Sequence, residues 1–388
     1  MAKREGGLAG MIPGQVIRLS KSCIGDAERR AVIGVLDREY LGMGAEVQQF
    51  EQALTEFFGR PAVCVVNGTA ALHLALQACG IGRGDEVLVP SLTYVASFQA
   101  ISATGATPIA CDIDPDTLTL DWRDAEKRLS PNTKAVMPVH YSGGVGALDE
   151  IYAFAHKHGL RVIEDAAHAF GTVYHGKQVG GFGDIACFSF DGIKNITSGE
   201  GGCITASDEA VLQRIRDARL LGVEKDTEMR YSGGRSWEFQ VRSQGWRFHM
   251  SNIMASIGLA QLQRSNEFSK KRRKLAISYD RLLSKYPRIK IINHDYRQIV
   301  PHIYVIRVSG LASKDELRSL LLAQNIQTGI HYMPNHWLDL YKKPPNYPNL
   351  SSTEQAYREI LSLPLHADMT MKEVKYICET LIGILDKM

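Results

Sequence analysis

Long apolar runs are missing from this 388-residue sequence, although 45% of its residues are hydrophobic. No stretch reaches the roughly 20 apolar residues that a transmembrane helix needs. The N-terminal residues MAKREGGLAGMIPGQ lack the apolar middle of a secretory signal. We therefore expect no membrane segment, and we treat residues 1–15 as a flexible tail outside the fold. The remaining length is sufficient for one large and one smaller domain.

A strong net charge is also absent, since the formal value is only +3. This is too small to indicate a nucleic-acid-binding protein. The one dense basic run is SKKRRK, residues 269–274. A phosphate-binding patch is one reading of it. Apolar residues flank the run on both sides, and this favours the solvated face of a long helix.

Paired cysteines and metal-binding spacings are missing as well. The seven cysteines form no CxxC motif, and this scatter is typical of a protein in the reducing cytoplasm. The histidines show no spacing such as HExxH, so we expect no metal.

Helical and strand-like patterns alternate from about residue 26 to residue 265. Residues 148–158 (LDEIYAFAHKH), for example, carry apolar side chains three and four positions apart, which is the spacing of a helical stripe. Such alternation predicts an α/β fold. We expect a large domain, residues 16–265, with a mostly parallel central sheet flanked by helices.

The pattern changes near residue 265, where one or two long helices begin. Strand-like and helical segments then follow, and residues 326–332 (IQTGIHY) predict a strand among them. Residues 266–388 are therefore expected to form a smaller α+β domain.

A strand-like run ends just before NGTAAL, residues 67–72, where a helix is predicted to begin. The first turn of a helix has free N–H groups and a partial positive charge, and both favour phosphate. Thr69 and Ala70 would supply amides, and Thr69 also a hydroxyl. An ordinary helix cap has the same appearance, so the motif alone is weak.

A second strand-like run ends in the acidic pair of EDAAHAFG, residues 164–171. A carboxylate at the carboxyl end of a parallel strand faces the ligand crevice of such a fold. Asp165 could cap the next helix, or it could pair with a protonated ring nitrogen.

The third motif is FSFDGIKNITSGEGG, residues 188–202, in which Lys194 follows a buried run and precedes several glycines. A lysine in a partly dry site loses its proton more readily and can form a Schiff base with an aldehyde. Together the three motifs could anchor the phosphate, ring nitrogen and aldehyde of pyridoxal 5'-phosphate (PLP). We therefore predict PLP as the cofactor.

The order of the motifs resembles the DegT/DnrJ/EryC1/StrS family of fold-type I, PLP-dependent nucleotide-sugar aminotransferases. The resemblance runs from about Ile17 to near the C-terminus. It is carried by VVNGTAALHLAL, GDEVLVPSLTYVA, VIEDAAHAFG, CFSFDGIKNITSGEGG, MSNIMASIGLAQL, IHYMP and LSLPLH.

The resemblance implies a role for each matching residue. Lys194 would form the internal aldimine and shuttle protons, Asp165 would pair with the pyridinium nitrogen, and His168 would lie near the phenolic oxygen. The phosphate would be held by Thr69, Ala70 and Ser189, and Tyr94 would stack on the ring.

Three segments leave more than one reading open. Arg247 lies where the family reaches the phosphate of the neighbouring subunit's cofactor, but His249 replaces the usual arginine there. Asp191 departs from the common pattern just before the lysine. His331 and Tyr332 align with a segment that faces the sugar nucleotide, although a single histidine in a strand is often structural.

The resemblance also implies a reaction and an assembly. L-glutamate would donate an amino group to the keto carbon of a nucleoside-diphosphate sugar, through the PLP and pyridoxamine (PMP) forms. MSNIMASIGLAQL is closer to the 4-keto group of enzymes than to the 3-keto group, which favours C4 of a 4-keto-6-deoxy sugar. A 3-keto substrate is the alternative, and a PLP-fold regulator is a third reading. We expect a cytoplasmic homodimer with active sites at its interface, serving surface-glycan synthesis such as O-antigen.

Overall fold

A seven-stranded sheet forms the centre of the computed structural model, which describes residues 16–342 and 349–388. The predicted tail, residues 1–15, lies outside the described residues. The first nine strands are β1 (Ala62–Val65), β2 (Glu86–Pro90), β3 (Thr107–Cys111), β4 (Thr133–Val136), β5 (Arg161–Asp165), β6 (Val173–Tyr174), β7 (Lys177–Gln178), β8 (Ile185–Ser189) and β9 (Gly202–Ala206).

The sheet has the strand order β1-β9-β8-β5-β4-β2-β3, and β6 and β7 form a separate hairpin. Strand β9 is antiparallel to both of its neighbours, β1 and β8, whereas the other neighbouring strands are parallel. The predicted mostly parallel sheet is therefore confirmed.

Helices cover both faces of this sheet, as the alternation of patterns predicted. They are α1 (Asp26–Asp37), α2 (Ala45–Phe58), α3 (Gly68–Ala78), α4 (Val95–Ala103), α5 (Trp122–Lys127), α6 (Leu148–His158), α7 (Glu209–Ala218), α8 (Asp226–Tyr231) and α9 (Asn252–Gln263). Helices α3, α4 and α7 contribute to the core on one face, and α2, α5 and α6 to the cores on the other. Helix α6 buries Leu148, Ile151 and Ala155 as its stripe predicts, and it ends at Gly159 with a left-handed φ of 65°.

The C-terminal part contains a three-stranded antiparallel sheet, β10 (Ile289–Ile291), β11 (Tyr304–Val308) and β12 (Ile360–Leu363). Its helices are α10 (Ser265–Leu283), α11 (Lys314–Ala323), α12 (Ser351–Glu359) and α13 (Met371–Leu385). The strand predicted at residues 326–332 is wrong as a continuous element. Ile326 pairs only with Ile17, and Gly329 pairs only with Ser362, so the segment forms isolated bridges.

The N-terminal residues of the described chain pair with this small sheet domain. The N–H of Ile17 donates to the carbonyl of Asn325 at 2.8 Å, and the Ile17 side chain packs in the small domain's core. The N–H of Leu365 donates to the carbonyl of Leu19 at 3.0 Å. The first residues of the predicted large domain thus lie against the small one, and the two domain limits stay predictions.

The basic run at residues 269–274 lies in α10, but it is not wholly solvated as predicted. The side chain of Arg272 is only 2% exposed. Its Nη1 donates to the carbonyl oxygens of His302 at 2.9 Å and Leu365 at 3.2 Å. These backbone partners explain how one charge of the run is accommodated in the interior. None of the helices described in residues 16–342 and 349–388 has the length and apolar character of a membrane span.

Candidate active site

A cavity of about 540 Å³ opens where the carboxyl ends of β5 and β8 meet the N-termini of α3 and α4. Parallel strands place their C-terminal residues at the same edge of the sheet, so residues distant in sequence converge there. The cavity is lined by all of the predicted site residues except Ala70 and Arg247: Thr69, Tyr94, Asp165, His168, Ser189, Lys194, His331 and Tyr332.

Asp165 is the last residue of β5 and is only 6% exposed. Its side chain lies on the same face of the strand as Ile163, which packs in the core with α3 and α4. Its Oδ2 accepts a hydrogen bond from Ser97 Oγ at 2.7 Å, and its Oδ1 accepts the N–H of Ala167 at 3.2 Å. The carboxylate is therefore held at the cavity wall with capacity left for a ligand.

Lys194 lies in the turn that follows β8, where its N–H donates to the carbonyl of Asp191 at 3.1 Å. Burial lowers the pKa of its ammonium group, while the carboxylates of Asp165 and Asp191 act in the opposite direction. A lysine whose ammonium form is destabilised supplies a neutral amine more readily, as a Schiff base requires.

Close packing at the start of α3 brings the backbone of this helix directly against β8. A Cβ placed on Gly68 would lie 2.8 Å from Cβ of Ser189, so only glycine fits between the helix and β8. The backbone of α3 and the Ser189 hydroxyl therefore line the same corner of the cavity. A helix N-terminus beside a hydroxyl suits a phosphate group.

The backbone N–H of Ala70 is not free to bind a group in this corner. Its N–H donates to Oδ1 of Asn67 at 2.8 Å, which caps α3. The amide predicted for phosphate is thus occupied by a side chain in this structure, so its role stays a prediction. Thr69 lines the cavity as expected.

His168 is buried in the wall of the cavity and forms a cluster with two other rings. Its Nε2 is 3.0 Å from the hydroxyl of Tyr332, and its ring centroid is 4.4 Å from that of His302. Burial lowers the pKa of His168 well below its usual value, and the charges of Lys194 and His331 add to this effect. His168 is therefore a neutral hydrogen-bonding group at neutral pH.

Tyr94 precedes α4 and exposes 59% of its surface, which leaves its ring available to a ligand. Its centroid is 5.6 Å from that of Tyr332 across the cavity. His331 is held by a 2.7 Å contact between its Nδ1 and Oγ of Ser362, and burial lowers its pKa to about 4. These three side chains line the cavity, and their contacts with the ring and the sugar stay predictions.

The remaining predicted positions lie in two places. Asp191 lines the cavity beside Lys194, as does Glu200. Arg247 is exposed and does not line the cavity of its own chain, as the predicted contact with a neighbouring subunit would require. Burial, with Arg230 and Arg247 nearby, lowers the pKa of His249 to about 4. Within residues 16–342 and 349–388, no group of three or more His, Cys, Asp or Glu side chains could hold a metal ion.

Sequence reasoning missed several residues that organise this site. Ser97 and Thr93 lie next to Asp165, and Tyr141 donates its hydroxyl to the carbonyl of His331. Ser97 lies in the first turn of α4 and Thr93 lies just before that helix, so their i, i+4 spacing brings the two hydroxyls together. Nothing in that spacing identifies a partner on β5.

The residues present fit PLP. The start of α3 and the Ser189 hydroxyl line the corner that suits a phosphate, a held carboxylate lies at Asp165, and an amine with a lowered pKa lies at Lys194. All of them surround one cavity of about 540 Å³, which is large enough for a cofactor and part of a substrate.

Comparisons with known proteins agree with this chemistry. The family model described as "DegT/DnrJ/EryC1/StrS aminotransferase family" matches residues 22–382. The chain is 38% identical over 370 residues to the spore coat polysaccharide biosynthesis protein SpsC of Bacillus subtilis (strain 168), a match that covers 93% of this chain and 95% of SpsC.

Solved structures give the same result. The aminotransferase PseC of Helicobacter pylori, involved in the biosynthesis of pseudoaminic acid, is similar with a TM-score of 0.89 and 28% identity, covering 96% of this chain and 100% of PseC. The PLP form of Spr1654 from Streptococcus pneumoniae has a TM-score of 0.88 and 29% identity, covering 96% and 99% of the two chains. Spr1654 has also been solved in its PMP form.

Proposed function

Because this chain belongs to the DegT/DnrJ/EryC1/StrS aminotransferase family and is a PLP-dependent sugar aminotransferase, we propose that it aminates C4 of a nucleoside-diphosphate 4-keto-6-deoxy sugar, with L-glutamate as donor. The observation that carries this proposal is the convergence of Lys194, Asp165 and His168 on one cavity.

Bound PLP supplies an aldehyde that takes up the amino group and a protonated ring that withdraws electrons from the substrate carbon. Asp165 would hold the ring nitrogen, and Ser189 with Thr69 would hold the phosphate. Tyr94 would cover one face of the ring, and His168 would donate or accept a hydrogen bond at the ring oxygen.

Lys194 would move the protons of the reaction with its Nζ. Its lowered pKa favours a neutral amine, which would take a proton from the donor carbon and deliver it to C4′ of the cofactor. In the second half-reaction, Nζ would take a proton from C4′ and deliver it to the sugar carbon. Removal of water from the site strengthens the attraction between the Lys194 ammonium and developing negative charge.

The preference for C4 rests on the resemblance of MSNIMASIGLAQL, residues 250–262, to 4-keto enzymes. SpsC and PseC are described in the synthesis of a spore coat polysaccharide and of pseudoaminic acid, which supports a role in surface-glycan synthesis such as O-antigen. A 3-keto sugar is the second candidate, since amination at either carbon needs the same cofactor chemistry. The seven cysteines are all free, which supports a cytoplasmic enzyme.

We also propose that the enzyme is a homodimer in which Arg247 reaches the neighbouring site. Trp237, Phe239 and Val241 precede Arg247 in the same segment and are 87%, 54% and 52% exposed. Neighbouring exposed apolar side chains mark a contact surface, and a second subunit would cover them.

The reaction is tested by the visible spectrum of the purified protein with PLP, before and after excess L-glutamate. We expect a yellow band that disappears with glutamate and returns when a 4-keto-6-deoxy sugar nucleotide is added. NMR of the product then identifies the aminated carbon. A band unaffected by glutamate would exclude it as the donor, and a product aminated at C3 would exclude the preferred substrate.

The dimer is tested by mixing two inactive variants, Lys194→Ala and Arg247→Ala. If Arg247 serves the neighbouring site, hybrid dimers contain one intact site, so mixing should restore part of the activity. A mixture that stays inactive, although light scattering shows exchange of subunits, would contradict the shared site.

A further inference from the structure

The hydroxyl of Ser97 makes a direct contact with the Asp165 carboxylate. The Ser97 Oγ to Asp165 Oδ2 distance is 2.7 Å, and the two residues are 0% and 6% exposed. A hydroxyl and a carboxylate at this depth are shielded from water, so the hydrogen bond is stronger than it would be at the surface.

The direction of the hydrogen bond between Ser97 and Asp165 determines the direction of the hydrogen bond between Thr93 and Ser97. An ionised carboxylate can only accept, so Ser97 must use its single proton for Asp165. Thr93 Oγ1 lies 2.9 Å from Ser97 Oγ and must then be the donor of that second bond. The hydrogen bonds therefore run in one direction, from Thr93 to Ser97 and from Ser97 to the Asp165 carboxylate.

The start of this series of hydrogen bonds, at Thr93, is held in place by the short 3-10 helix Asn335–Trp337. Nδ2 of Asn335 donates to the carbonyl of Thr93 at 2.8 Å and to that of Ser91 at 3.1 Å. Asn335 is itself 1% exposed. The segment before α4 is therefore tied in place, and Ser97 in the first turn of α4 has a fixed position relative to β5.

Serine in a helix commonly bonds the carbonyl of the preceding turn. Ser97 instead directs its proton to a residue 68 positions away. A carboxylate that accepts a hydrogen bond from a fixed donor is held in one orientation. This orientation applies to the carboxylate that is predicted to pair with the cofactor's ring nitrogen.

We propose that Ser97 is a positioning residue that orients the Asp165 carboxylate towards the pyridine nitrogen of bound PLP, and so keeps that nitrogen protonated. This proposal rests on the proposed pairing of Asp165 with that nitrogen. Thr93 supports Ser97 in the same role.

The experiment uses full-length protein reconstituted with PLP that carries ¹⁵N in its ring. The ¹⁵N chemical shift reports directly whether the nitrogen is protonated, and a residue that only supports folding would not change it. The variants are Ser97→Ala, Ser97→Thr, Asp165→Asn and the control Ser102→Ala. Ser102 lies on the same helix, and its Oγ contacts the Tyr341 hydroxyl at 3.3 Å rather than Asp165.

We expect Ser97→Ala to move the nitrogen signal towards the unprotonated position, and Ser97→Thr, which keeps the hydroxyl, to restore it. Turnover in Ser97→Ala should fall about 10- to 100-fold in kcat with little change in KM, since a hydrogen bond to a charged group is lost. The pH midpoint of the visible PLP band should rise by about one unit, because a neutral ring no longer repels the proton of the lysine link. Ser102→Ala should match the wild type.

The Asp165→Asn variant separates the two ways of failing. If it moves the ¹⁵N signal and Ser97→Ala does not, the role of Ser97 is refuted while that of Asp165 stands. If neither variant moves the signal, the pairing of Asp165 with the nitrogen is itself wrong.

Discussion

Glu164 and Asp165 are consecutive residues of β5, yet their carboxylates serve opposite faces of the sheet. Glu164 is 0% exposed, with Oε2 2.6 Å from Nε2 of His140 and Oε1 accepting from the Tyr152 hydroxyl at 2.6 Å. The Asp165 side chain lies on the opposite face of β5 and lines the cavity. Successive side chains of a strand point to opposite faces, so the same local sequence supplies a packing face and a ligand face.

The two carboxylates differ in the hydrogen-bonding capacity that each has left for a ligand. Both oxygens of Glu164 bind protein side chains, whereas Asp165 accepts from Ser97 and Ala167 at a wall that opens into the cavity. Two neighbouring, similarly buried carboxylates are thus distinguished by their hydrogen-bond partners. A variant on the cavity face should affect chemistry, and one on the packing face should affect stability.

Of the variants on the cavity face, Lys194→Ala should lower turnover the most. Without Nζ, the chain has neither its covalent link to PLP nor its proton carrier, so turnover should fall by at least about 10⁴-fold. Thermal unfolding should remain close to that of the wild type. Lys177→Ala, at an exposed lysine of β7, is the matched control. Full turnover in Lys194→Ala would refute the proposed mechanism.

Asp165→Asn and Glu164→Gln compare the two faces directly. The first should lower kcat by about 10²- to 10⁴-fold, because a neutral amide cannot stabilise a protonated ring nitrogen, and leave unfolding little changed. The second should lower the free energy of unfolding by about 1–3 kcal/mol, because a buried partner loses its acceptor. Turnover per folded molecule should survive in Glu164→Gln. Kinetics with urea denaturation of both variants measure this, and equal losses of kcat would remove the distinction.

Tyr332→Phe should have a smaller effect on the same cavity. It removes the 3.0 Å contact with Nε2 of His168 but keeps the ring that faces Tyr94. Loss of one hydrogen bond between neutral groups predicts a fall in kcat of less than about 10-fold. Tyr376→Phe, whose hydroxyl bonds a carbonyl on the protein surface, should show no fall. A loss as large as that of Asp165→Asn would assign Tyr332 a direct part in the reaction.

His168→Gln should change how stability depends on pH. Burial keeps the pKa of His168 well below its usual value of about 6.5, so the unfolded chain binds a proton that the folded chain refuses. The histidine's contribution is therefore present above about pH 6.5 and is lost as the pH falls. Below that pH, the slope of unfolding free energy should be reduced in the variant by up to about 1.4 kcal/mol per pH unit. Identical slopes in urea denaturation at pH 5 to 7 would contradict this.

Local patterns predicted the framework of the molecule well. The stripe of α6 and the strand runs of β5 and β8 follow directly from the periodicity of apolar residues. The segment at residues 326–332 has the composition of a strand, but Ile326 and Gly329 each find only a single backbone bridge. Whether an extended segment becomes a strand depends on neighbours that its own sequence does not specify.

The candidate site likewise contains some residues that the sequence could predict and others that it could not. The location of Lys194 and Asp165 at the cavity could be predicted, because a place at or just after the end of a strand is a local signal. Ser97 and the occupied amide of Ala70 could not, because each depends on the direction of one side chain in the folded chain. Arg272 shows a further limit, since nothing in a basic run reveals which charge is turned towards backbone carbonyls in the interior.

The pairing of the N-terminal residues with the small domain has a consequence for synthesis on the ribosome. The N–H of Leu19 donates to Oε1 of Gln327, across 308 positions of the chain. The segment around Leu19 must therefore wait, without its final partners, until the chain has been translated beyond Gln327. Since closing such a loop is entropically costly, this contact should form late, after the central sheet has been built from nearer pairings.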